Sequence, residues 1–121
     1  MFAHIRRFKG EMMVVKGFKP FMFSDMSDAD GDYWESTLQP QAMDAMASPT
    51  PKVEIKEWKA SFLLTENDPA MPIGYQEYLI QRARDAGAHI DIVRINSGHF
   101  VMITHAREVA GWIARLLVMT A

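Results

Sequence analysis

The chain reads as an α/β fold: a strand–helix–strand–helix unit over residues 59–121, preceded by an irregular region with short helices over residues 1–58. Three observations predict it. Ala60-Ser61-Phe62-Leu63-Leu64-Thr65 and His89-Ile90-Asp91-Ile92-Val93-Arg94-Ile95 are short apolar runs of strand length. Each leads through a polar turn into a segment with helical spacing of apolar residues. The composition also changes near residue 58, from a Met- and Phe-rich stretch to regular alternation of the two patterns. Strands that alternate with helices in this way make a parallel sheet with crossover helices.

In the first region, Met12 to Val15 and Phe18 to Phe23 read as short extended segments, broken at Gly17 and Pro20. Ser27 ahead of Asp28, Asp30 and Asp32 is a helix start, with a hydroxyl cap and carboxylates at the positive end of the dipole. That helix would carry Tyr33, Trp34 and Leu38 on one side and stop before Pro40. A second short helix is expected over Gln41 to Ala47, ahead of the stiff Ser48-Pro49-Thr50-Pro51 connector. Asp28-Ala29-Asp30-Gly31-Asp32 lacks the sixth-position Gly and twelfth-position Glu of an EF-hand, so it reads as a capped helix start and not a calcium loop.

In the second region, the continuous apolar character of Ala60–Thr65 predicts a strand buried on both faces. Pro72 suits the first turn of the next helix, which runs to about Ala86 and ends at Gly87, a C′ glycine. The last helix starts near Thr104. Its repeats at Ala106, Val109, Ala110, Ile113, Leu116 and Leu117 predict one wide buried face.

The chain has 121 residues, enough for one domain that buries roughly two-thirds of its unfolded surface. Thirteen basic against fifteen acidic side chains give a net charge of −2, and no Lys/Arg run suggests a nucleic-acid track. Arg6, Arg7 and Lys9 form only a small terminal basic patch, read as a solvated face. Zero cysteines exclude disulfides, thiolate catalysis and Cys-ligated zinc. No signal-like run and no stretch of ~18 apolar residues is present, so the chain is expected to be soluble and cytoplasmic, without a membrane partner.

The chemistry sits just past the two strands, in Thr65-Glu66-Asn67-Asp68-Pro69-Ala70-Met71-Pro72 and Asn96-Ser97-Gly98-His99. Open α/β sheets bind ligands at the carboxyl edge of their strands, where Asp68 and His99 would meet. A carboxylate there would fix the His tautomer and stabilise the imidazolium formed when His99 takes a proton. Read alone, Asp68 serves equally as a cap for the helix near Pro72. Gly98 would let the backbone turn tightly before His99. His105 reads as solvated. His4 and His89 have no neighbours at ligand spacing, so no metal is expected. The ten methionines with Phe18, Phe21 and Phe23 suit either an adaptable lid or ordinary core, and Trp58 reads as packing.

From about Phe23 to Leu117 the chain resembles the C-terminal portion of α/β hydrolases, and is most similar to the esterase-like branch of plant methylesterases and hydroxynitrile lyases. The resemblance rests on a strand, the T-E-x-D-x-x-x-P loop, a helix from near Gln76, a second strand, S-G-H, and a closing helix rich in Val and Ala. Phe23-Ser24-Asp25-Met26, with Trp34, Leu38 and Pro40-Gln41, is similar to the segment that joins cap and core in that group. The resemblance implies cap-like helices over 1–58, the hydrolase core's C-terminal part over 59–121, Asp68 as triad acid and His99 as triad base. It implies no cofactor, and a small-molecule ester as the substrate of the intact protein. The same scaffold also supports lyase chemistry.

One part of that pattern is absent. A nucleophile elbow reads G-x-S-x-G, and none of Ser24, Ser27, Ser36, Ser48, Ser61 or Ser97 stands in such a turn. Losing the nucleophile of a triad costs about a million-fold in kcat, so the chain is expected to be a truncated portion, inactive alone. The Phe62–Thr65 strand would then present an open edge, available to a partner chain or to self-association. The alternative reading is a non-catalytic remnant that acts as an interaction module through that edge.

Overall fold

The computed structural model describes residues 6–8, 12–42, 49 and 57–119. Among these residues the protein is mixed α/β, with five helices and two small sheets, one antiparallel and one parallel.

The antiparallel sheet joins β1 (Arg6–Phe8), β2 (Met12–Val14) and β3 (Gln41–Ala42) in the order β1-β2-β3. Arg6 stands opposite Val14 and Met13 opposite Gln41, and Met13 is buried. The extended segment expected from Met12 is therefore present. The helix expected from Gln41 is not: Gln41 and Ala42 satisfy their backbone on β2 instead. Residues 43–47 and most of the Pro-spaced connector lie outside the described residues.

The segment expected to be extended from Phe18 to Phe23 is a short helix, α1 (Lys19–Met22), with Pro20 in its first turn. Proline breaks a strand but is pre-organised for a helix start, and here the second property wins. The two amides that α1 leaves open at its start donate to one acceptor, Glu35 Oε1, from Phe18 N at 2.7 Å and Lys19 N at 3.0 Å. Glu35 belongs to α2 (Asp28–Ser36), which begins as expected, with Ser27 Oγ accepting from Asp30 N at 3.2 Å. Lys19 Nζ returns the contact, 2.6 Å from Asp32 and 3.1 Å from Asp28. Those bonds, Asp32 first, hold the Lys19 ammonium above its ordinary pKa. The helix stops before Pro40 as expected, but it ends at Ser36 and so leaves Leu38 outside the side expected to carry Tyr33, Trp34 and Leu38; Tyr33 and Leu38 are exposed.

The parallel sheet is the expected pair. β4 (Lys59–Thr65) runs beside β5 (His89–Ile95) in register from Lys59 opposite His89 to Thr65 opposite Ile95. The crossover between them is α3 (Ile73–Asp85), which starts just after Pro72 and closes at Gly87 with φ 94°. Arg94 on β5 reaches back to α3, 2.7 Å from Glu77. The closing helix is broken at His105 into α4 (Val101–Thr104) and α5 (Ala106–Met119). Trp112 of α5 donates to Ser61 of β4 at 3.1 Å.

Burial falls short of the expectation in three places. Only the carboxyl end of β4 is sealed, with Leu64 at 0% exposure and Thr65 buried beside it, while Ala60 to Leu63 are half-buried. On α5, Ile113 and Leu117 are exposed while Val109 and Leu116 are half-buried, so the expected wide buried face is not sealed. Trp58 is 69% exposed and does not pack. Two strands offer too little surface to cover a wide helical face.

Candidate active site

The parallel ladder continues past the strands and brings the two loops together. Glu66 N donates to Ile95 O at 2.9 Å and Asn67 N to Ser97 O at 3.1 Å, and the Asn67 and Asn96 side chains hydrogen-bond to each other. Asp68 and His99 follow directly. His99 Nδ1 lies 2.8 Å from Asp68 Oδ2.

The Asp68 carboxylate is held on all sides. Oδ1 accepts from Ala70 N and Met71 N, both at 2.9 Å. Oδ2 accepts from Thr65 Oγ1 at 3.2 Å as well as facing His99. Of the two alternatives left open by the sequence, the pairing with His99 is present and the helix cap is not: Asp68 organises its own turn with one oxygen and meets the imidazole with the other. It does not cap α3, whose cap position is Pro72 with no side-chain bond. The Asp68 side chain is 4% exposed and that of His99 27%. A buried carboxylate beside a partly open imidazole favours Nδ1–H donating to Asp68, which leaves Nε2 with its lone pair. Among the described residues Nε2 has no hydrogen-bond partner. Phe100 sets the ring from one side, edge-on at 5.3 Å.

The support beneath Asp68 is Gln76, 1% exposed on α3. Its Oε1 accepts from Thr65 N at 3.1 Å, and its Nε2 donates to Thr65 O at 2.9 Å and Met71 O at 2.6 Å. Sequence reasoning gave Gln76 no role in the site. The available signal was its offset of four from Ile80, which puts it on the buried side of α3.

Support for the His99 loop comes from Asp25, in the turn between α1 and α2. Its Oδ2 accepts from Gly98 N at 2.8 Å, Thr104 Oγ1 at 3.1 Å and Ser97 Oγ at 3.3 Å. No local pattern in the sequence announces these contacts. Gly98 is glycine because of them: a Cβ there would lie 2.7 Å from Asp25 Oδ1, and its φ is outside the left-handed region. The expected tight-turn role of Gly98 is thus replaced by one of close approach. His105, expected to be solvated, is half-buried with Nδ1 2.8 Å from Thr104 Oγ1.

None of the described serines is hydrogen-bonded to His99. Ser27 caps α2, Ser36 donates to Tyr33 O, Ser61 accepts from Trp112, and Ser97 is buried against Asp25 and Gly98 O. Ser24 lies beside Gly98 without a bond to the imidazole, and Ser48 is outside the described residues. An open groove of about 390 Å³ runs past Asp25, Trp34 and Ile103, and neither Asp68 nor His99 lines it. Among the described residues no group of three or more His, Asp or Glu is placed to hold a metal ion, and no helix is long and apolar enough to cross a membrane.

Comparison with protein families, characterised proteins and solved structures returns no match to this chain, so the site is read from its own geometry.

Proposed function

We propose that Asp68 and His99 are the acid and base of a serine-type α/β-hydrolase site for carboxylic esters, with the nucleophile supplied by polypeptide beyond the described residues. The observation that carries this reading is the 2.8 Å contact of His99 Nδ1 with a carboxylate whose other oxygen is fixed by two amides. In the reaction, Nε2 takes the proton of the serine hydroxyl as it attacks the ester carbonyl. Asp68 holds the tautomer and stabilises the imidazolium, and His99 then returns the proton to the leaving alkoxide. The C-terminal hydrolase portion and its cap-like companion over 1–58 are part of the same proposal, supported by the β4–α3–β5 order and the position of both groups at one edge.

A second reading is favoured by β4, which pairs on one side only among the described residues. An interaction module would pair another chain along that edge.

p-Nitrophenyl acyl esters separate the two. The chain alone gives no turnover that depends on His99. Joined to an upstream G-x-S-x-G segment it hydrolyses them, and Asp68→Asn lowers kcat about 10⁴-fold in that form. Equal activity with Asp68 and with Asn at this position sinks the assignment. Turnover by the chain alone that His99→Ala abolishes shows that the nucleophile lies within it.

A further inference from the structure

We infer that Asp25 is the positioning residue of the candidate base, the link through which the segment before α2 sets the His99 imidazole. The inference rests on the catalytic reading of Asp68 and His99 for its significance, but not for its geometry.

The reach is long in sequence and short in space. Asp25 contacts residues 72 to 79 positions later, with one oxygen accepting from Ser97 Oγ, Gly98 N and Thr104 Oγ1. Two of those donors precede α4 and the third is its last residue, so Asp25 does more than cap one end of it. Ser97 and Gly98 precede His99 and Thr104 follows it, so the carboxylate ties together the two ends of the segment that carries His99. A carboxylate accepting from three donors is stronger than neutral bonds of the same length. Thr104 is held in turn by His105 Nδ1 at 2.8 Å.

Two further observations show that the approach is built in. The absent Cβ at Gly98 is what admits Asp25, since a methyl group there would sit 2.7 Å from Oδ1 and 2.8 Å from Cγ. Two residues before Asp25, buried Phe23 stacks on Phe100 with centroids 5.1 Å apart and planes 17° from parallel. Phe100 is the ring that meets His99 edge-on. One short turn therefore grips the His99 loop twice, through its backbone and through its neighbouring ring, while Asp68 is held by its own loop, which Gln76 braces at Thr65 and Met71.

The test uses the full chain labelled with ¹⁵N. Long-range imidazole spectra report the His99 Nδ1–H tautomer, and amide hydrogen exchange reports Gly98. In Asp25→Ala the Gly98 amide exchanges at least ~10-fold faster, the equivalent of one charge-assisted hydrogen bond. The His99 Nδ1–H signal gives way to averaged tautomers, and the Ala70 and Met71 amides keep their protection. A His99 signal and Gly98 exchange rate unchanged in a folded Asp25→Ala overturn the inference. If that variant does not fold, Thr104→Val removes one donor with little change of shape. It must then speed Gly98 exchange and disturb the same tautomer, and an unchanged spectrum overturns the inference equally. Loss of the His99 signature without ester turnover in any form supports the positioning role and removes the hydrolase reading. An unchanged signature removes the positioning role whatever the turnover.

Discussion

Gln76 does for Thr65 what a neighbouring strand would do. In a parallel ladder one residue gives its N–H and C=O to the same side, and here a single carboxamide answers both, at 3.1 and 2.9 Å. Pairing along the edge of β4 that is open among the described residues therefore stops at Thr65, and the turn carrying Asp68 lies beyond it. Thr65 Oγ1 then passes the alignment on to Asp68. Gln76→Leu fills the same space but leaves the amide and carbonyl of Thr65 and the carbonyl of Met71 without partners. Urea denaturation should show a loss of about 2–4 kcal/mol, the cost of buried unsatisfied groups. A loss below ~0.5 kcal/mol, typical of a surface change, is the outcome that contradicts this role.

Among the elements, α2 is the one whose local signals and final structure agree most closely at its start. Ser27 Oγ accepts from Asp30 N and also donates to Asp30 Oδ2 at 2.6 Å, and Asp28 and Asp30 sit in the first turn. Ser27→Ala should cost about 1 kcal/mol in thermal or urea unfolding, and Ser27→Asp should restore most of it. Helix α1 shows the opposite case. Four residues cannot form a stable helix alone, and this one exists because Glu35 caps its start and Lys19 bridges to Asp28 and Asp32. The same dependence explains why Phe18 to Phe23 reads as extended from its sequence. The partner that makes it helical lies 16 residues further along.

At the scale of the whole molecule, the fully buried side chains among the described residues, Leu64, Gln76 and Ser97, gather at one end of a two-stranded sheet. Leu64, Thr65, Asp68, Gln76 and Ser97 form the sealed region, and it lies directly beneath the candidate site. Stability and site geometry therefore share the same residues. Leu64→Ala, at a position with no exposure, should cost about 3 kcal/mol. Because Leu64 is fully buried together with Gln76 and Ser97, next to the site, that loss should also broaden the His99 and Asp68-turn resonances, which local damage elsewhere would leave sharp. Normal resonances with a measured loss of 3 kcal/mol would separate the core from the site. Among the described residues, the exposed Ile113 and Leu117 of α5 and the single-sided pairing of β4 belong to one pattern, in which apolar periodicity outruns the surface that covers it.

Local chemistry alone was enough for the elements whose partners are near in sequence. The β4–α3–β5 crossover, the Ser27 cap, the Gly87 terminus and the location of Asp68 and His99 at one strand edge all follow from periodicity, capping and turn residues within a few positions. Tertiary structure decided the remainder. It turned Gln41–Ala42 into a strand, made α1 helical, left Ile113 and Leu117 of α5 exposed, and joined Asp25 to Gly98 and Gln76 to Thr65. These outcomes depend on which backbone donors and acceptors meet across long separations, and hydrogen-bond satisfaction between distant segments leaves no periodic trace in either of them.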